Sequence, residues 1–143
     1  MMRATILKSG TALMLAASVQ IAFAMPADLP MQQQHQGAVT FLSGGIGLDE
    51  SSAIKGEMHN YPLVLEFAGK SSSGNVYLAD VSVQVSDTQG HVLLTTTTRG
   101  PFLLASVPNG RYSVTARYDG KTERRDVAIT SSAHVHEFFL WPM

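Results

Sequence analysis

Cysteine is absent from all 143 residues. The chain therefore has no disulfide, no thiolate nucleophile and no thiolate metal ligand, and no cysteine follows its N-terminal apolar run to carry a lipid. Charge is scarce as well: Asp, Glu, Lys and Arg together make up 15% of the chain, and tryptophan occurs once. A basic excess is also missing, so a general nucleic-acid binder is not expected. Apart from one stretch near the N-terminus, no run approaches the roughly 20 apolar residues that span a bilayer.

That N-terminal stretch has the three parts of a secretory signal. Arg3 and Lys8 supply the positive region, residues 11–21 are uncharged and mostly apolar, and Ala22-Phe23-Ala24 is the small-x-small pattern that signal peptidase cuts. The apolar run, about 11–15 residues, is too short for a transmembrane anchor. The sequence predicts a cleavable signal peptide over residues 1–24 and a periplasmic or secreted mature protein. Lys and Arg then fall from ten to eight against eleven Asp and Glu, a formal charge of −3.

Residues 25–36 (MPADLPMQQQHQ) hold two prolines and four glutamines without an apolar period, and are expected to be a disordered leader. A single domain then occupies residues 37–143, opening with a strand-turn-helix-strand block over residues 37–68. Residues 38–42 are β-prone, and Ser43-Gly44-Gly45-Ile46-Gly47 reads as a tight turn needing positive φ. Asp49 and Glu50 suit a helix N-terminus, and the helix is expected to run to about Asn60 with Ala53, Ile54 and Met58 inward. Gly56 weakens it by about 1 kcal/mol relative to Ala. Pro62 ends it, and Leu63, Leu65 and Phe67 alternate as a strand.

From Asn75 onward the pattern is all β. Val81, Val83 and Val85 alternate with Ser82, Gln84 and Ser86; Tyr112, Val114 and Ala116 alternate with Arg111, Ser113 and Thr115. Asp87-Thr88-Gln89-Gly90, Pro108-Asn109-Gly110 and Asp119-Gly120 punctuate the strands, the last as a two-residue hairpin. Further strands are expected over residues 91–98, 102–107, 121–130 and 134–141, whereas Ser71-Ser72-Ser73-Gly74 reads as a flexible loop. Strands of this length, broken every 8–12 residues, indicate a sandwich or barrel.

Tyr77-Leu78-Ala79-Asp80-Val81-Ser82-Val83, Asp87-x-x-Gly90 and Val107-Pro108-Asn109-Gly110-Arg111-Tyr112-Ser113-Val114 resemble the carboxypeptidase regulatory-like domain family. The match runs from Asn75 to Ile129, in a part of the chain expected to span residues 75–141. The resemblance implies a mainly β, prealbumin-like (transthyretin-like) antiparallel β-sandwich, to which the front block adds one short accessory helix. The front block departs from the family pattern, in a combination similar to exported bacterial proteins carrying such a domain. A shared fold does not imply a shared function.

Candidate chemistry is sparse. The glycine turn lacks the Lys-Ser/Thr of a P-loop, and Glu50 stands where a dinucleotide fingerprint needs its third glycine. Met31, Met58 and Met143 form no copper-binding cluster, and no G-x-S-x-G elbow is present. The C-terminal Phe138-Phe139-Leu140-Trp141 lacks the Tyr-Arg-Gly-Ser ending of hydroxyisourate hydrolase, which shares the prealbumin-like fold. His134 and His136 fall on one face of a strand and are the candidate metal ligands. His91, His59, Glu66 or Asp80 would have to supply a third ligand, since Glu137 has the opposite parity. Arg111, Arg117, Lys121, Arg124 and Arg125 lie close together, interleaved with acids. The expectation is a non-enzymatic binding or structural module of the cell envelope, without cofactor, whose partner is an envelope protein or glycan. The alternative is a periplasmic metal-binding protein using His134 and His136.

Overall fold

The structure, a computed structural model, describes residues 31–143. The signal peptide expected over residues 1–24 and residues 25–30 of the expected leader lie outside the described residues. Among the described residues there are ten strands and one α-helix: β1 (Gln34–Gln36), β2 (Val39–Gly44), α1 (Leu48–Glu57) followed by a 3-10 turn (Met58–Asn60), β3 (Leu63–Ser71), β4 (Gly74–Tyr77), β5 (Ser82–Asp87), β6 (Val92–Thr97), β7 (Phe102–Ser106), β8 (Gly110–Tyr118), β9 (Lys121–Ile129) and β10 (Val135–Pro142). They form two sheets. One has the order β1-β2-β7-β3-β10, with β4 added beside β3; the other is β6-β5-β8-β9.

The two sheets face each other as a β-sandwich, and period-two alternation decides which side chains meet between them. Leu63, Leu65, Phe67, Leu103, Phe139 and Trp141 come from the larger sheet; Val83, Val85, Leu94, Val114, Ala116 and Ile129 come from the smaller. Phe67, Phe139 and Trp141 form an aromatic cluster with ring centroids 5.4–6.2 Å apart. The outer face of the smaller sheet is wet, as Gln84, Arg111 and Arg117 demonstrate. At the Asp119-Gly120 hairpin both residues take positive φ, 48° and 74°, which matches the strand twist.

The larger sheet is buried on both faces over part of its width. On its outer side Leu42, Val64, Phe102 and Leu104 pack against Ile54, Tyr61 and Met31 in a second core. Period-two reading of β3 therefore catches half of its buried residues. Val64 and Ala68 are also buried, at 4% and 1% exposure, because α1 covers the first and neighbouring side chains cover the second.

Several expectations need correction. The leader is ordered from Met31: that side chain is buried in the second core, and β1 pairs with β2. The cause lies in Gln36, whose side-chain amide donates to the Thr95 carbonyl and accepts the Thr95 N–H, acting as a substitute strand for β6. Ser71 and Gly74 close a β3–β4 hairpin, where the Ser71 hydroxyl donates to the Gly74 carbonyl. The sandwich is not wholly antiparallel, since β10 runs parallel to β3 over eight residue pairs. At the helix start, Gly47 (φ 84°) stands at the N-cap and no side chain caps α1. Glu50 instead turns back to accept the Gly45 N–H at 2.8 Å. Gly45, at φ 106°, also lies so close to the Phe102 ring that a Cβ there would meet it.

Val114→Ala should destabilise the protein by about 1–3 kcal/mol through lost burial and a residual cavity. Ser113→Ala, on the wet face, should stay within about 0.5 kcal/mol. Denaturant titration of both variants checks the strand parity, because equal losses would contradict it.

The turn after β5 makes a prediction about pH. Asp87 Oδ1 accepts the N–H groups of Gln89 and His91, each at 2.9 Å, and Oδ2 meets His91 Nδ1 at 3.1 Å. Desolvation pushes the Asp87 pKa up, but the bonds from His91 and Gln89 outweigh it and hold the carboxyl below its ordinary value. A depressed carboxyl contributes stability above its unfolded pKa, near 4, and loses it as pH falls through the folded value. Asp87→Asn should lower the Tm at neutral pH, and the gap to the parent should close as the pH drops below about 4. Thermal melts of both proteins between acidic and neutral pH measure this.

Candidate functional site

The alternation along β10 sends His136, Phe138 and Leu140 to the outer face of the larger sheet. Beside them, β3 presents Glu66 and Ala68 on the same face. At this point β3 changes neighbour on its other side: pairing with β7 ends at Glu66 opposite Phe102, and pairing with β4 begins at Ala68 opposite Tyr77. Two hydrogen bonds at Phe67 mark the exchange, its N–H donating to the Pro101 carbonyl and its carbonyl accepting the Leu78 N–H. The second core stops at the same place. Phe102 is its last buried ring, with Lys55 Nζ 5.9 Å from one face and the Tyr77 ring 5.6 Å away.

Beyond Phe102 the face is open. Glu66, Ala68, Asn75, Val76, Tyr77 and Phe138 line a cleft of about 330 Å³. Tyr77 is 56% exposed and Phe138 41%, while the Glu66 side chain keeps only 16% of its surface in solvent. His136 Nε2 stands 3.0 Å from Glu66 Oε2. A carboxylate can only accept, so the imidazole donates from Nε2, which fixes the ring and leaves Nδ1 as an acceptor when the ring is neutral. Partial burial, then the nearby Glu66 carboxylate, raise the Tyr77 pKa above that of an ordinary phenol. The cleft thus combines two aromatic faces with an amide, a phenol and a carboxylate–imidazole pair. No serine, threonine or cysteine lines it, so the imidazole has no aliphatic hydroxyl or thiol of the cleft to activate.

The two histidines singled out by sequence have different partners. His134 precedes β10 and donates Nδ1–H to the Tyr61 carbonyl at 2.8 Å. His136 is held by Glu66. His91 belongs to the Asp87 turn, and His59 is exposed in the 3-10 turn. Among the described residues, no group of three or more His, Cys, Asp or Glu is placed to hold a metal ion.

The cationic cluster is divided by the fold. Arg111, Arg117 and Arg124 stand on the outer face of the smaller sheet, where Arg124 Nε lies 3.6 Å from Asp126. Arg125 turns to the sandwich edge, 3.3 Å from Glu123 and 5.0 Å over the Phe139 ring, and Lys121 Nζ donates to the Pro142 carbonyl. A wider, shallower depression of about 670 Å³ lies on that outer face, bounded by Asp87, Arg111, Arg124 and Asp126. It carries both signs of charge and no exposed aromatic ring: its one aromatic, Tyr112, is buried with its hydroxyl donating to the Pro108 carbonyl. Aromatic anchors beside convergent polar groups mark binding surfaces, and the cleft at Glu66 is where they coincide.

Sequence reasoning named Glu66 and His136 but missed Asn75, Tyr77 and Phe138. Parity along β10 links Phe138 to His136, but nothing local announces that β10 lies parallel to β3 with Phe138 opposite Glu66. No family model matches this chain, and neither a curated protein nor a solved structure matches it.

The phenol reports on the cleft directly. Glu66→Gln should lower the Tyr77 pKa toward its ordinary value, since the negative charge goes while the burial stays. Ultraviolet titration of the phenolate, with Tyr77→Phe identifying the signal, checks this; an unchanged titration would separate Tyr77 from Glu66.

Proposed function

We propose that this chain is an exported, non-enzymatic binding module of the cell envelope, built on a prealbumin-like sandwich, and that it engages its partner at the cleft around Glu66. One observation carries the reading: two partly exposed aromatic rings, Tyr77 and Phe138, flank a mostly buried, imidazole-paired carboxylate on the open half of an otherwise covered sheet face. Exposed aromatics cost solvation and give binding energy when covered. The lining offers hydrogen-bonding groups and no serine, threonine or cysteine nucleophile, which favours recognition over bond-making. Export rests on Arg3, Lys8, the apolar residues 11–21 and Ala22-Phe23-Ala24. The prealbumin-like assignment draws support from the two-sheet arrangement and from the Asn75 to Ile129 phrases.

Cell fractionation and co-sedimentation test the reading together. The exported form should begin at Met25 and appear in the periplasmic or secreted fraction. It should sediment with isolated envelope material, and Tyr77→Ala with Phe138→Ala should weaken that binding at least about tenfold, the scale of one hot-spot aromatic, while leaving the Tm nearly unchanged. An uncleaved chain in the membrane fraction would refute export. Equal sedimentation of parent and variant would refute the cleft.

A further inference from the structure

We infer that the cleft around Glu66 takes a saccharide, holding one sugar ring between Tyr77 and Phe138. The inference rests on the binding surface proposed above and adds the class of ligand. Tyr77 and Phe138 stand on strands separated by β3, opposite Ala68 and Glu66 respectively, so their backbones lie diagonally, roughly 10 Å apart laterally and about 7 Å apart along the strands. That spacing leaves room for a ring a few ångströms thick to touch both aromatic side chains at once. The slightly positive C–H edges of a pyranose complement the negative face of an aromatic ring.

The polar groups select the same chemistry. A sugar hydroxyl both donates and accepts, and needs partners of both kinds once water is displaced. Glu66 Oε1 is an acceptor not used by His136, whose bond goes to Oε2. Asn75 and the Tyr77 hydroxyl each donate and accept. Among the lining residues none is Lys or Arg and one is a carboxylate, which disfavours phosphate and other anions. A wholly apolar ligand would strip water from Glu66 without replacing its hydrogen bonds. At about 330 Å³ the cleft lies at the small end of the range for ligand sites, enough for one or two rings. The Glu66 carboxylate beside two rings would also attract a quaternary amine, so the test includes one.

Isotope-labelled protein titrated with soluble probes decides between these ligands. The probes are neutral hexose disaccharides, N-acetylated amino-sugar oligomers, choline and inorganic phosphate. At least one saccharide should shift the Tyr77 and Phe138 ring resonances, with a dissociation constant on the order of millimolar for so open a site. The outer face carrying Arg111 and Arg124 should not respond. Tyr77→Ala and Phe138→Ala should each weaken binding about tenfold. Glu66→Gln, which keeps an acceptor, should stay within about threefold of the parent, and Glu66→Ala should fall further. Saccharide-induced shifts that survive both aromatic substitutions would overturn the inference. So would choline binding that Glu66→Gln abolishes, or silence from every saccharide at tens of millimolar. Envelope sedimentation that still depends on Tyr77 and Phe138, with every saccharide silent, would overturn the ligand class and leave the binding surface standing. Loss of both would overturn the surface itself.

Discussion

Strand β3 is buried on two sides at once, and the rest of the architecture follows from meeting that demand. Leu63, Leu65 and Phe67, each at 0% exposure, face the smaller sheet, while Val64 faces α1 on the other side. A strand so placed must satisfy its backbone along both edges, because an unpaired buried N–H or C=O costs about as much as a lost hydrogen bond. β10 serves one edge from Leu63 to Lys70. β7 and then β4 share the other. Burying one apolar side chain of this size stabilises by roughly 1.5–3 kcal/mol, so the two layers on β3 outweigh the poor intrinsic helicity of the segment that forms one of them.

The sides of the sandwich are closed by side chains rather than by strands. On one side the Gln36 amide makes both a donor and an acceptor bond to Thr95, so an edge of β6 that would otherwise end in water is capped by β1. On the other, Trp141 Nε1 donates to the Lys121 carbonyl, Lys121 reaches the Pro142 carbonyl, and the Arg125 guanidinium covers the Phe139 ring. The last contact explains why a run of cations beside β10 does not behave as one surface patch. Part of it is spent holding the sheets together, through side chains whose aliphatic stems pack while their charged ends stay wet.

Sequence reasoning succeeds where structure is local and period-two. The alternation in β5 and β8 and the hairpin at Asp119-Gly120 place Val83, Val85 and Val114 inside before any fold is assumed. It falters where one element covers another. Val64 is buried because α1 lies over it, and Met31 because β2 and α1 leave a gap that it fills. A glutamine-rich stretch reads as disordered on composition, yet one of those glutamines closes the sandwich. The candidate cleft is the least legible feature of all. Glu66, Tyr77 and Phe138 come from three strands, and only the parallel pairing of β3 with β10 and the switch from β7 to β4 bring them together.

That switch also accounts for why the cleft is open. α1 has ten residues, a length of about 15 Å, and the side chains beneath it come from β2, β7 and the first part of β3. The helix ends at Glu57, a 3-10 turn carries the chain on to Asn60, and the apolar cluster around Ile54 includes no residue of β10 or β4. Where the cover ends, an apolar face would invite aggregation, and the sheet instead presents Glu66 with His136 at its centre. A carboxylate at a layer boundary has lost much of its water but can still be reached, and it is partnered by the His136 imidazole at Oε2 and by the nearby Tyr77 phenol. With Tyr77 and Phe138 beside it in the same cleft, the face has both hydrogen-bonding direction and apolar contact to offer.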